Sequence, residues 1–430
     1  MRFGIAQVDI TPPFSVRMAG YGGRHDLNDD VHDPLTFTAI VLEERGRRAV
    51  LGAADLLWYD NDQVMDLRKK IAKLADAPVD NVMLNASHTH GGPVVTDRPH
   101  YLPAEVNTST AAPYRKHLAK QVTAATRKAA KNLQAGSLWF GQGTTSVPMN
   151  RRPDRKGNIP LAPNPDGPKD DRLQVLVLRD ADEAIRAVLA RVSCHPVSTG
   201  GQHRITADYP GAFRAAFANT FGPDVVPVFL QGAGADTRPS RVSDGDKWRV
   251  MPHAELMDIG TDLVHETLAV LTSNKLEKVG PLTLRGKLNV ADVPCEPRAT
   301  TREQLEALLA NGSGIERTHA RNALARLEGQ GSVPTHIPTR VHTLWLTNDT
   351  ALIGVQGETL CGLGAFVEKA LAPARTLFLG YTNGAVGYLP DSKELARGGY
   401  EASSYVYRGW SGPFKKGIEK VIAAAAWKRK

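Results

Sequence analysis

Asn81-Val82-Met83-Leu84-Asn85-Ala86-Ser87-His88-Thr89-His90-Gly91-Gly92-Pro93 decides how this chain is read. An apolar run ends in a polar turn, and Gly-Gly-Pro stops it, which predicts a strand over 79–86 leaving into a loop. Side chains two positions apart on an extended strand point the same way, so His88 and His90 can face one cleft. Two imidazoles at a strand end suit a transition metal or proton transfer, whereas hydrocarbon packing rarely calls for them. The plainer alternative is a surface His-x-His in a loop.

Outward from this point the same pattern recurs. Arg191-Val192-Ser193-Cys194-His195-Pro196 is an apolar run reaching a histidine. Val228-Phe229-Leu230-Gln231 reaches the turn Gly232-Ala233-Gly234-Ala235-Asp236. Leu352-Ile353-Gly354-Val355-Gln356-Gly357-Glu358 reaches a carboxylate, and Leu377-Phe378-Leu379 reaches Gly380-Tyr381-Thr382-Asn383, with Tyr388 and Tyr400 following. Ligands of α/β sheets gather beyond the carboxyl ends of strands, so these ends suggest one convergent site. Singly, each has a structural alternative. His195 before proline suits a hydrogen-bonded support, Glu358 suits a cap for a helix from Thr359, and lone tyrosines suit core or rim. Asp55 reads equally as the partner of a site histidine or as a cap, and Asp208 as such a partner or as loop support.

Strand patterns also cover 3–9, 35–43, 48–54, 137–143, 173–179, 187–194 and 225–231, then 282–290, 340–346, 350–355 and 376–379. Helical patterns cover 62–75, 111–133, 253–271 and a tail at 414–427. A helical hairpin over 301–328, broken at Asn311-Gly312-Ser313-Gly314, is placed to lie over a cleft. Residues 150–170, rich in proline and glycine, read as an irregular loop bordering a site. The expected fold is α/β, with mixed β-sheets and flanking helices, and no internal repeat shows. The chain is expected to form a single domain over 1–430, with a possible subdivision near 275.

At 430 residues, 42% hydrophobic and 23% charged, the composition is that of a globular protein. No apolar run approaches the ~20 residues of a membrane span, and stable membrane insertion is not expected. The N-terminus lacks a secretory pattern, which leaves a cytoplasmic location as the expectation. Three scattered cysteines argue against a disulfide framework. The +8 charge is scattered, apart from 151–156 and Lys428-Arg429-Lys430. It fits a solvated basic surface, or attraction of an anionic substrate, better than nucleic-acid binding, which is not expected. No Gly-x-Ser-x-Gly, His-Glu-x-x-His or P-loop occurs.

Taken together, these segments resemble the neutral ceramidase family, zinc amidases that cleave the amide of N-acylsphingosine. The resemblance is carried by Gly4-Ile5-Ala6 through Thr11-Pro12, Met18-Ala19-Gly20-Tyr21, Asn85 to His90, Asn150-Arg151, His195-Pro196, Gly357-Glu358 and Gly399-Tyr400-Glu401. It implies a ceramidase-like catalytic domain without the C-terminal β-sandwich, for which no room remains after Tyr405. It implies one zinc ion per chain, held by His88, His195, Glu358 and Tyr388. His90 would move protons, while Arg151, with Arg152 beside it, and Tyr400 would face the substrate carbonyl. The implied reaction is hydrolysis of an amide in a small or amphiphilic N-acyl compound by metal-activated water. The alternatives are an esterase or lactonase using the same metal, or a non-catalytic binding protein. The family's Gly-Asp-Val-Ser-Pro-Asn-like turn is here Gly232-Ala233-Gly234-Ala235-Asp236-Thr237-Arg238-Pro239, and Arg238 could hold an anionic group.

Overall fold

The computed structural model describes residues 1–97 and 108–428; Arg429 and Lys430 of the terminal basic run lie outside them. Its architecture is α/β with mixed sheets, as the strand and helix patterns imply. A nine-stranded sheet runs Val226–Gln231, Ile185–Val192, Arg172–Asp180, Gln134–Thr144, Arg2–Asp9, Thr36–Glu44, Arg47–Ala54, Val82–Ala86, with Glu277–Val279 paired to Gln134–Thr144. A four-stranded sheet runs Arg285–Pro294, His336–Trp345, Thr350–Val355, Arg375–Leu379.

One chain path is used three times. Three antiparallel strands lead into a helix, and a fourth strand returns parallel to the third. The first unit is Arg2–Asp9, Thr36–Glu44, Arg47–Ala54, helix Gln63–Ala75 and Val82–Ala86. The second is Gln134–Thr144, Arg172–Asp180, Ile185–Val192, helix Tyr209–Phe221 and Val226–Gln231. The third is Arg285–Pro294, His336–Trp345, Thr350–Val355, helix Cys361–Lys369 and Arg375–Leu379. The sequence reading found no repeat and missed the helix Tyr209–Phe221, while Cys361–Lys369 entered only as the alternative of a helix from Thr359. The first begins with proline and glycine, and the second is short with two glycines, so neither carries a strong helical period.

The three fourth strands are buried parallel strands, so they read as apolar runs without alternation. Leu51, Met83, Leu138, Leu176, Leu344, Leu352 and Leu377 form one core between the two sheets. Helices Gln63–Ala75 and Ala111–Lys131 cover the outer face of the first unit, and Tyr209–Phe221 and Leu256–Leu271 that of the second.

Asn85 ties the three fourth strands together. Its carboxamide oxygen accepts from Gln231 N at 2.9 Å, and its Nδ2 donates to Gly380 O at 2.7 Å. Fully buried, it links the end of each unit's last strand to the others. Their carboxyl ends, and the loops they carry, therefore meet at one place. Among the described residues, no helix is long and apolar enough to cross a membrane, and the three cysteines are free and buried.

Candidate metal centre

His88 leaves the strand Val82–Ala86 with a left-handed backbone (φ 66°), a conformation uncommon for a side-chain-bearing residue. That twist sends its ring inward. Its Nδ1 lies 2.9 Å from Leu57 O, in the loop after the first unit's third strand. His195 follows the second unit's third strand, and its Nδ1 lies 2.8 Å from Gly234 O. A carbonyl only accepts, so both Nδ1 atoms carry a proton, and both Nε2 atoms are turned to the centre.

Those two Nε2 atoms stand 3.1 Å apart. Glu358 Oε2 lies 3.2 Å from the first and 3.6 Å from the second. Burial, and then the neighbouring Arg151, push His195 down to about 3, which keeps it neutral. Burial raises the Glu358 carboxyl, and it takes a positive charge on its His88 and His195 side to hold it well below its ordinary value. Three acceptors thus converge with no proton of their own to share. Facing lone pairs repel, and a divalent cation among them turns the repulsion into coordination. The fixed Nδ1–H bonds are the outer partners that orient metal-binding imidazoles. The donor set therefore fits a metal such as zinc.

His90 completes the cluster. Its Nε2 lies 3.2 Å from His88 Nε2, and the ligating atoms of His88, His90 and His195 all lie within 4.8 Å of one another. Burial, with His88 and His195 next, lowers its pKa well below the usual value. Its main chain is gripped by Arg24, whose guanidinium donates to His90 O and Gln202 O, both at 2.8 Å, and to Ala19 O. Gly20 packs against the ring; a Cβ there would sit 2.5 Å from His90 Nδ1, and its φ of +100° suits glycine alone.

Tyr388 reaches the site because Glu358 and Tyr388 are register partners in a short parallel pairing. Burial, then the Glu358 charge, raise its phenol well above the ordinary value, so it is a neutral donor in this environment. Arg151 Nη2 donates to Tyr388 Oη at 3.1 Å, and its Nε to Glu401 Oε1 at 2.9 Å. The structure thus places Arg151 against the Tyr388 phenol, where the resemblance has it face the substrate carbonyl. Glu401 is also bonded by Arg152, which reaches Glu394 at 2.8 Å. Tyr400 packs edge-on against Tyr388, with ring centroids 5.4 Å apart, and stays 40% exposed at the cavity mouth.

Several contributors were not anticipated. Tyr381 stacks on His88 at 3.9 Å, and Trp58 lies 6.0 Å from that ring. Tyr381 sits in the polar turn already noted at 380–383, which was its only signal. Asp55 and Asp208 touch neither His88 nor His195. Asp55 takes both Nη atoms of Arg214, at 3.1 and 2.6 Å, and Asp208 caps the helix Tyr209–Phe221. Arg238 stacks on Trp248. The helical hairpin, at Arg302–Asn311 and Gly314–Gln330, braces the cavity wall from outside. Its Asn322 and Arg326 donate to the carbonyls of Val406 and Arg408.

A cavity of about 380 Å³ opens onto this centre, walled by Met18, Leu57, Trp58, Val94, Tyr400 and Tyr407 among others. An apolar pocket with a few convergent polar groups is the usual form of a small-molecule site.

The fold is the α/β fold of solved neutral ceramidases. The chain is a homologue of the "Neutral ceramidase" of Pseudomonas aeruginosa, 23% identical over 478 residues, covering 95% of this chain and 70% of that one. The crystal structure of neutral ceramidase from Pseudomonas aeruginosa superposes with a TM-score of 0.73 at 20% identity, covering 99% of this chain and 73% of the other. A ceramidase structure complexed with C2 gives 0.73 at 19%, covering 100% and 76%. No protein-family model matches the chain.

Proposed function

We propose that this protein is a zinc-dependent amidase that hydrolyses the amide of an N-acyl compound. The observation that carries the reading is the meeting of His88 Nε2, His195 Nε2 and Glu358 Oε2 within 3.6 Å, each an acceptor. The similarity to a neutral ceramidase supports an amide as the bond attacked. In this reading His88, His195, Glu358 and Tyr388 hold the ion. When bound, a zinc ion supplies Lewis acidity that polarises a carbonyl and acidifies water.

The chain's own groups do the rest. His90 stays neutral in its buried position, so its Nε2 can take a proton from water and pass it to the departing nitrogen. The oxygen of water joins the acyl carbon, the carbon–nitrogen bond breaks, and a carboxylate and an amine leave. Tyr400, raised by burial, remains a protonated donor for the carbonyl oxygen as charge builds there. Arg151 acts through Tyr388, fixing its oxygen. The aromatic wall around Trp58 excludes water and seats the acyl chain.

The test is hydrolysis of N-lauroylsphingosine and simpler N-lauroyl amides by the purified protein, before and after chelation. Amine release that stops on chelation and returns with zinc is expected. Cleavage of esters with no amide turnover would overturn the amidase reading.

A further inference from the structure

Tyr381 is a large, fully buried side chain with no part in the chemistry above. It stands two residues past the end of the third unit's last strand, Arg375–Leu379, as His88 stands two past the end of Val82–Ala86 in the first unit. The shared path therefore brings the two side chains to one place from different units. Tyr381 O accepts from Ala86 N at 3.3 Å, and Tyr381 N donates to Gly357 O at 3.0 Å. Its main chain is thus pinned beside the strand that delivers His88 and beside the residue before Glu358. Both residues hold a left-handed backbone, with φ of 66° at His88 and 50° at Tyr381. That conformation is unusual for a bulky side chain and persists where the surroundings impose it.

The phenol ring lies flat on His88. Their centroids are 3.9 Å apart and their planes 24° apart, whereas His195 meets the same phenol edge-on at 6.1 Å and 89°. The bond between His88 Nδ1 and Leu57 O, 2.9 Å long, fixes one edge of the imidazole. One hydrogen bond holds a point and leaves the ring free to rock about it. A flat face in contact removes that freedom, because rocking drives the imidazole into a close-packed neighbour. The Tyr381 hydroxyl is buried and has no hydrogen-bond partner among the described residues. The contact this side chain makes with the centre is therefore the ring's and not the oxygen's.

We propose that Tyr381 is a positioning residue: lying on the His88 imidazole, it fixes the plane of that ring and the direction of Nε2, and so sets how tightly the centre holds a divalent ion. This rests on the metal-dependent reading above and deepens it at the same site. The physical reason is pre-organisation. A side chain already turned to its bound direction loses little freedom when the ion arrives, whereas a rocking ring must be ordered as the ion binds. Outer contacts that orient a ligand commonly change metal affinity by about 10–100-fold. A tyrosine that merely filled the core would support stability alone, and metal affinity in the folded protein would not depend on it.

The experiment measures dissociation constants for Zn²⁺ and Co²⁺ by competition with a chromophoric chelator, in the purified, chelator-stripped protein and its variants. Tyr381→Phe keeps the ring and drops the hydroxyl, and is expected to match the parent protein. Tyr381→Leu removes the flat face. It is expected to weaken both ions about tenfold or more and to alter the visible absorption of the cobalt form. Tyr381→Met fills the space with a flexible chain; it is expected to behave like the leucine variant and replaces it if that variant does not fold. Phe217→Leu removes a buried ring from the second unit's helix, in a core cluster that does not include His88. It is expected to lose stability in chemical denaturation and keep the parent's affinity. Leucine and methionine variants that bind both ions as tightly as the parent overturn the proposal and leave the metal reading standing. A phenylalanine variant as weak as the leucine one also overturns it, by moving the effect to the hydroxyl. Equal weakening in Phe217→Leu overturns it too, because affinity would then follow packing in general. A parent protein that binds neither ion overturns both.

Discussion

The first and third units follow the same path and place opposite kinds of group at the same turns. After its third strand the first unit carries Asp55, which turns outward to Arg214, and Leu57, whose carbonyl steadies His88. After its third strand the third unit carries Glu358, which faces the histidines directly. After the fourth strand the roles reverse. The first unit supplies His88, and the third supplies Tyr381, which stacks on it. The shared path guarantees that these loops meet, and residue identity decides which of them carries chemistry and which supports it. The second unit mixes the two, with His195 on one loop and its Gly234 support on the other.

This contrast can be broken by substitution, with the largest effect first. His88→Ala removes the ligand that the first unit contributes. Both bound metal and turnover are expected to fall to background, as read by elemental analysis and amine release. His90→Ala leaves the other acceptors in place. Metal is expected to stay while kcat drops by about 10²–10⁴-fold; loss of the ion instead would make His90 a ligand.

The supporting side of the contrast is tested through stability. Asp55→Ala strands the Arg214 guanidinium, and removing one partner of a buried pair costs about 3–5 kcal/mol. Chemical denaturation should show that loss in a folded fraction that still binds metal. Asn85→Ala leaves Gln231 N and Gly380 O without their partner. It is expected to cost about 2–6 kcal/mol, at about 1–3 kcal/mol for each of the two buried groups left unsatisfied. Its effect on turnover should exceed what Asp55→Ala causes, since Asn85 aligns the loops that carry the ligands.

Much of the centre was legible in the sequence, because a polar residue ending an apolar run stands out. His88, His195 and Glu358 were each found that way, and the structure brings all three together. Asn85 was not. Inside an apolar strand it reads as an interruption, and its role depends on two strands far away in the chain. The threefold path was hidden for a related reason. Buried parallel strands need only apolar side chains, so three units can share a course without sharing residues. Tyr381 depends on contacts across units, which no local pattern records. The position of Arg151 shows the same limit: matching residues located it in the site, and only packing set it against Tyr388.

The central claim is that one divalent ion is shared by side chains from all three units. Elemental analysis of the purified protein, with amide hydrolysis followed through exhaustive chelation, tests it most directly. The account predicts one zinc per chain, with activity lost as zinc is removed and regained on its return. Full activity in metal-free protein would contradict it.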